Sequence, residues 1–378
     1  MQYRDLGNTG QKVSALGFGC MRLPKVRDDP KQIDFDASLA LFRRAVELGV
    51  NYFDTAYLYN DADSERAIGK FLKEIDRSDI FITTKNPVGH QWYQIPGDQP
   101  TGPLFRKCLE EDLERLETDY IDNYLFHDTQ LLSFRIVVNT PGGPLDQAKK
   151  AKEEGLIRHI GISCHDTPQN MMKIIDMAKG AVELVIMQYN LLDRKNEPVI
   201  DRCREEGIGV AIMGPVGGGK LMHPSPAYTE AIGAKSTPEV ALRFVLANPG
   251  VSTAMSGMNE MAQLEENAAA ASATEPLTAD ELDAINKLQK DNEALLGLYC
   301  TACGYCMPCP NGIDIPGNFA AMNLAKVHGL TDLAKQNYKK LRDKSAENCV
   351  ECGECAGKCP QHIDIQERLK EVAAELGE

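Results

Sequence analysis

Long apolar runs are missing from this sequence. The longest are strand-length, far short of the roughly 20 residues that span a bilayer. The first residues, MQYRDLGNTGQKV, hold no apolar stretch fit for a signal peptide. Basic residues are in deficit: 41 Lys and Arg against 55 Asp and Glu leave a formal net charge of −14. That argues against nucleic acid and against an anionic membrane as partners, and suits a soluble protein, including one that meets a basic partner. No repeat of solenoid period is present. Cysteine is scarce over most of the chain, with only Cys20, Cys108, Cys164 and Cys203 before position 300, and then eight between 300 and 359. A secreted disulfide scaffold would be short and would carry a signal peptide, so the expected location is the reducing cytoplasm.

What is present is a rhythm. With 378 residues, two domains are the default. From residue 14 to about 270, short apolar runs alternate with amphipathic helical stretches. The strand candidates are SALGFGCM, NYFDTAY, IFITTK, YIDNYLFHD, RHIGISCHD, ELVIMQYN, GVAIMGPV and VSTAMSG. Helical stretches such as SLALFRRAVELG and LFRKCLEEDLERL lie between them. Continuous rather than alternating apolar strands predict a parallel sheet buried on both faces. Eight β-then-α units predict an α/β fold, a (β/α)8 TIM barrel. A doubly wound sheet is the alternative, weakened because no GxGxxG opens the first helix. A long segment, His127 to Pro144, interrupts the rhythm after the fourth strand, at the end where barrel active sites sit; it reads equally as a plain surface insertion. Thr278 and Glu281 predict a capping box at the start of a helix beyond the barrel.

The stretch FDTAYLYNDADSERAIGKFL resembles the aldo-keto reductase family, with Asp-Thr-Ala-x-x-Tyr after strand 2. The opening LGNTGQKVSALGFGCMRLP is similar too, as are TTK (83–85), LFHD (125–128), GIS (161–163), MQYN (187–190), PVGGGKL (215–221) and QLEEN (263–267). The resemblance covers about residues 1 to 290 and implies a catalytic tetrad of Asp54, Tyr59, Lys85 and His127. Each of the four falls at or just past a strand's C-terminal end. It further implies nicotinamide contacts at Ser163 and Gln188, a pyrophosphate loop over Gly217, Gly219 and Lys220, and adenosine contacts at Ser256, Gly257, Gln263, Glu266 and Asn267. Cys20 and Met21 after strand 1, and Met213, Gly214 and Pro215 after strand 7, complete the implied cofactor set. Two positions depart from the family pattern: Cys164 stands where Asn is usual, and Met213 where an aromatic ring is common. NADP-preferring members carry Lys or Arg in the strand-8 stretch; SGMNEMAQLEEN has none, so NADP and NAD both remain open.

The chemistry suits carbonyl reduction. Hydride arriving at a carbonyl carbon leaves an alkoxide that needs a proton, and Tyr59 is the candidate acid. Its ordinary pKa is ~10, and poising it near ~7 takes about 4 kcal/mol. One ammonium at ~4 Å, at an effective dielectric of ~20, supplies about that much. Lys85 is the candidate, with Asp54 balancing it and His127 orienting the carbonyl oxygen.

The cysteines divide into two runs. Cys300, Cys303, Cys306 and Cys309 follow C-x2-C-x2-C-x2-C-P; Cys349, Cys352, Cys355 and Cys359 follow C-x2-C-x2-C-x3-C-P. The second is the bacterial ferredoxin pattern, in which the fourth cysteine ligates the other cluster. The expectation is two [4Fe-4S] clusters, one on Cys300, Cys303, Cys306 and Cys359, the other on Cys349, Cys352, Cys355 and Cys309. The intervening helical stretch, FAAMNLAKVHG and DLAKQNYKKLRD, makes residues 291–378 resemble a mainly α-helical ferredoxin-like iron-sulfur domain behind a 1–290 barrel. Zinc held by C-x2-C pairs is the rival. Cys108 and Cys203 read as inert, as does Cys20 apart from its place in the implied cofactor set.

Two functions follow. One is an NAD(P)H-dependent reductase of a small carbonyl compound, or in reverse a dehydrogenase of the corresponding alcohol, by hydride transfer, coupled to or supported by the clusters. The other is an electron-transfer or nicotinamide-sensing protein passing single electrons to a redox partner protein. A flavin would join two-electron and one-electron chemistry, but no flavin motif is present. Substrate identity is not readable.

Overall fold

The computed structural model describes residues 1–378 except 28, 91–92, 96–98, 274–276, 297–305, 327, 360–362 and 378. Cys300 and Cys303 thus lie outside the described residues. The chain divides into two compact units: Met1–Gly218 with Ala241–Pro276, and Gly219–Val240 with Leu277–Glu378.

The first unit is built on a closed barrel of eight parallel strands in sequential order. They are β1 (Leu16–Gly19), β2 (Tyr52–Asp54), β3 (Phe81–Asn86), β4 (Ile121–Phe126), β5 (Ile157–Cys164), β6 (Leu184–Gln188), β7 (Gly209–Met213) and β8 (Thr253–Ser256). Every strand lies within or overlaps a run expected from sequence. The strands are buried on both faces, which is why they read as continuous apolar runs rather than alternating ones. Leu6, Val13, Tyr52, Leu125, Leu184, Ile186, Ala211 and Met255 form a core cluster, with Met213 packed against it.

Two short antiparallel ladders were not expected. One pairs Tyr3–Asp5 with Lys12–Ser14, the other Lys25–Val26 with Asp29–Ile33. Neither shows a hydrophobic alternation long enough to register in the sequence. Helix Asp63–Phe71 crosses helix Thr101–Leu116 so closely that a Cβ on Gly69 would lie 2.4 Å from the Arg115 carbonyl oxygen. The His127–Pro144 segment is not a plain loop: it holds a helical turn, Leu131–Ser133, and a π-helical turn, Phe134–Val138. Such turns recur at functional sites.

In the second unit, helix Ala279–Leu296 begins at the expected capping box: Thr278 N–H donates to Glu281 Oε2 at 2.8 Å, and Glu281 N–H to Thr278 Oγ1 at 3.2 Å. Helices Ile315–Lys326, Thr331–Leu341 and Ile365–Leu376 share a core that includes Ile313, Phe319, Met322, Tyr338, Leu369 and Val372. Among the described residues no helix is long and apolar enough to cross a membrane.

Candidate active site and cysteine hollow

Parallel strands of one barrel end on one face, so their last residues meet at its mouth. Asp54 ends β2, Lys85 is next to last in β3, and His127 follows β4 directly. The loops keep pairing past the strands: Thr55 N–H donates to the Thr83 carbonyl (2.8 Å), Tyr57 N–H to Lys85 (3.2 Å) and His127 N–H to Asn86 (3.1 Å). Tyr59 is positioned by a tight reversal in which Asn60, Asp61 and Ala62 all take left-handed backbone angles (φ 53, 53 and 67). Asn and Asp tolerate that region; Ala62 is strained there, as residues beside functional groups often are.

The expected tetrad converges. Lys85 Nζ donates to both Asp54 oxygens (2.7 and 2.8 Å), to the Thr55 carbonyl (2.6 Å) and to Tyr59 Oη (3.2 Å). Lys85 is 1% exposed and Asp54 5%. The His127 ring lies edge-on to Tyr59 at 5.6 Å between centroids. Burial alone would lower the Lys85 pKa, but Asp54 and Tyr59 outweigh it, and the ammonium is held charged, above its ordinary value. Burial raises the Asp54 carboxyl against the pull of Lys85. Burial pushes His127 down to about 2, with Lys85, His90 and His165 adding to the effect, so its imidazole is neutral. His127 Nδ1 is buried without a hydrogen-bond partner among the described residues.

One expectation is corrected. Lys85 does not bring the Tyr59 phenol down towards neutrality; burial raises it above its ordinary value and outweighs Lys85. Burial of the ring is the main reason, and the distances add to it. The ammonium spends its charge on the two Asp54 oxygens, which themselves repel a phenolate, and it reaches Tyr59 only through its longest contact.

Strand alternation explains how Lys85 is held. Its neighbours Thr84 and Asn86 point away from the barrel interior. Thr84 Oγ1 donates to the fully buried Glu65 (2.5 Å), and Asn86 Nδ2 to Tyr124 Oη (2.7 Å). Tyr124 in turn donates to the buried Asp112 (2.6 Å), and Arg115 bridges Glu65 and Asp112. This network clamps β3 on both sides of the lysine.

Sequence reasoning missed a second polar group at the mouth. His90 and Asp128 are both buried, and His90 Nε2 lies 3.8 Å from Asp128 Oδ2. The His90 ring packs on His127 at 4.7 Å. Asp128 has φ 46 and His165 is exposed nearby. Asp128 and His90 lie on different loops, so no local pattern could have linked them.

The implied cofactor residues end the remaining strands. Ser163, nearly buried, is next to last in β5, Gln188 ends β6, Met213 ends β7 and Ser256 ends β8. Asn267 Nδ2 donates to Ser256 Oγ at 3.1 Å, so these two are brought together; Gln263 accepts from the Asn259 N–H instead. Gly257 and Glu266 lie beside them on an exposed surface. Cys20 is fully buried, its thiol against the Phe18 carbonyl (3.7 Å), whereas Met21 is 59% exposed. Of that pair, Met21 is the one that offers surface. Cys164 donates to the Thr129 carbonyl at 2.9 Å, and burial pushes its thiol up to about 12, so it is tucked away and unreactive. Burial likewise raises Cys108 to about 11 and Cys203 to about 12. After β7, Gly214, Gly217, Gly218 and Gly219 all have positive φ (63, 62, 67 and 97), with Pro215 buried among them and Lys220 exposed beyond. Arg22 was missed: a Cβ on Gly257 would lie 3.3 Å from Arg22 Cβ, and one on Gly218 3.9 Å from its Nη2. A basic side chain from the turn after β1 thus lies beside the strand-8 stretch.

In the second unit one hollow is lined by Cys309, Cys349, Cys352 and Cys355, together with Cys306, Ile313, Ile315 and Leu369. The first four are the ligands expected for the second cluster. Burial raises the Cys355 thiol, and the nearby Cys349, Cys309 and Cys352 raise it further, which reflects the same proximity. Asn311 Nδ2 lies 3.3 Å from Cys352 Sγ. Among the described residues no three such side chains are drawn together tightly enough to chelate a single ion. Buried Asn318 straps the two runs together: its Nδ2 donates to the Asp314 and Lys344 carbonyls (2.7 and 2.9 Å), and its Oδ1 accepts from Ala346 N–H (2.7 Å). Cys359 packs against the same helical core.

Comparison with known proteins agrees with both parts. The model of the aldo/keto reductase family matches residues 15–230 and 227–290, and that of the 4Fe-4S dicluster domain matches 299–363. An L-galactose dehydrogenase of Arabidopsis thaliana is 30% identical over 305 residues, 74% of this chain and 91% of that protein. The pyridoxine 4-dehydrogenase of Escherichia coli (strain K12) is 27% identical over 275 residues, 69% of this chain and 90% of its own. The holo form of the aldo-keto reductase AKR11C1 from Bacillus halodurans superposes with a TM-score of 0.63 at 30% identity, covering 76% of this chain and 96% of that one. The chain belongs to the aldo/keto reductase family, an NAD(P)-dependent oxidoreductase whose C-terminal region is a 4Fe-4S dicluster domain.

Proposed function

We propose that the protein reduces a small polar carbonyl compound with NAD(P)H, Tyr59 giving the proton, and that the hydride does not pass through the clusters. The observation that carries this is Lys85, buried and held between the Asp54 carboxylate and the Tyr59 hydroxyl. Reduced nicotinamide, when bound, supplies hydride. Tyr59 is protonated at neutral pH and donates to the developing alkoxide. Lys85 stabilises the phenolate left behind, and neutral His127 orients the carbonyl oxygen. Ser163, Gln188, Ser256 and Asn267 suit the polar groups of the nucleotide. His90 and Asp128 favour a hydroxyl-bearing substrate, in keeping with relatives named for L-galactose and pyridoxine. Cluster electrons move singly and hydride carries two, so the clusters support the C-terminal unit rather than the hydride path. Anaerobic assay of small aldehydes and hydroxyketones with NADH and NADPH tests the reading; absence of turnover across the panel with either nucleotide argues against it.

Two further results are expected. An acid is lost as pH rises through its pKa, and the Tyr59 value is raised. Reductive kcat/KM should therefore stay level through neutral pH and fall only above the ordinary tyrosine value of ~10. A falling limb centred near neutrality would contradict this assignment. Arg22→Ala should raise the nucleotide KM by about three- to tenfold, the loss of one hydrogen bond to a charged group, with little change in kcat. Equal KM values would remove Arg22 from the site.

A further inference from the structure

The segment that follows the loop after β7, Gly219–Val240, belongs to the same compact unit as Leu277–Glu378. Three contacts pin it there. Buried Ser225 donates its hydroxyl to the His328 carbonyl at 2.7 Å, and buried Tyr228 sets its hydroxyl 3.3 Å from His328 Nδ1. Gly329, with φ +62, comes so near that a Cβ there would lie 3.2 Å from Ser225 Oγ. Ser225 N–H donates to Thr237 Oγ1 at 2.8 Å, so both polar groups of Ser225 are committed. Burial, with Lys220 nearby, pushes His328 down to about 4, so its imidazole is neutral and can share a hydrogen bond with Tyr228. His328 and Gly329 form the corner between helices Ile315–Lys326 and Thr331–Leu341. Those helices enclose the core on which Cys309, Cys349, Cys355 and Cys359 pack.

We propose that this corner, through His328, Tyr228 and Ser225, positions the loop that follows β7, so that nucleotide affinity depends on the C-terminal unit being folded around its clusters. The inference rests on reading Gly217–Lys220 as the dinucleotide loop. A loop with three consecutive left-handed glycines, Gly217, Gly218 and Gly219, is costly to order. Anchoring its far end to a helical corner reduces the entropy that nucleotide binding must otherwise overcome. The clusters then act on turnover without passing electrons to the barrel.

The test uses the full-length, cluster-loaded protein, titrated anaerobically with NADPH and with NADH by nucleotide fluorescence. Ser225→Ala removes one hydrogen bond, and Tyr228→Phe removes those of its hydroxyl with His328 and with Gln289; each should raise the nucleotide Kd about three- to tenfold. Iron content, and kcat at saturating nucleotide, should stay at the wild-type value. His328→Leu should behave like Tyr228→Phe, and His328→Gln, which keeps a neutral polar side chain, should recover affinity. Removing iron from the wild type by chelation should weaken nucleotide binding as well. Unchanged affinity in Tyr228→Phe and His328→Leu would overturn the tether. Lys220→Ala separates the two readings. If it weakens binding while the His328 corner variants do not, the tether alone fails. If Lys220→Ala binds as tightly as wild type, the loop assignment fails and the tether with it.

Discussion

Replacing Tyr59 with phenylalanine should cut carbonyl reduction by about 10²- to 10⁴-fold, the usual contribution of a positioned general acid, while nucleotide affinity stays unchanged. The change removes one oxygen from a partly exposed ring and leaves the Lys85–Asp54 pair with its other bonds, including that to the Thr55 carbonyl. Folding should therefore survive, and the loss falls on kcat. Lys85 is less suitable as a probe. Removing it strands a buried carboxylate, a change that typically costs about 3–5 kcal/mol of stability and confuses folding with catalysis. Wild-type reduction by Tyr59→Phe would exclude the phenol as the proton source.

Cys309→Ser should remove about half the iron, and the half it removes should be the cluster held mainly by the second cysteine run. Cys306 and Cys309 both belong to the first run by sequence and line the same hollow as Cys349, Cys352 and Cys355, but it is Cys309 that raises the Cys355 thiol along with Cys349 and Cys352. Crossed ligation of this kind is the ferredoxin pattern. Combining Cys309→Ser with Cys349→Ser gives the decisive comparison. Two ligands of one cluster should lose no more iron together than either does alone, whereas ligands of different clusters would add. An additive loss would put Cys309 on the first cluster and end the interlocked assignment. The Asn318 strap predicts that loss of either cluster loosens both runs, because it ties the turn before Cys349 to the helix that follows Cys309.

Much of this was legible in the residues. Buried parallel strands announce themselves as uninterrupted apolar runs, and all eight of the runs expected from sequence hold the barrel strands. The tetrad was legible through the resemblance of its motifs to the aldo-keto reductase family, and barrel topology brings those strand ends together whatever lies between them. What could not be read depended on three-dimensional proximity. The His90–Asp128 pair joins two loops, and Arg22 reaches Gly257 and Gly218 only through the closure of β8 onto β1. The direction of the Tyr59 shift was misjudged for a similar reason. Sequence shows which charges are near, but not how the ammonium divides itself between Asp54 and the phenol, nor how deeply the ring is enclosed. Glu65 and Asp112 sit in helices whose exposed faces are charged, and only the fold reveals that Arg115 and Tyr124 meet them in the interior.

The central claim is that hydride moves directly between nicotinamide and substrate carbon, with the clusters off its path. Single-turnover reduction with nicotinamide cofactor carrying deuterium at C4 tests this, using the anaerobic, cluster-loaded protein and any aldehyde it reduces. The account predicts that the deuterium is recovered on the carbinol carbon of the product, while the absorbance of the clusters stays constant. Deuterium lost to solvent, accompanied by bleaching of the clusters on the timescale of turnover, would contradict it.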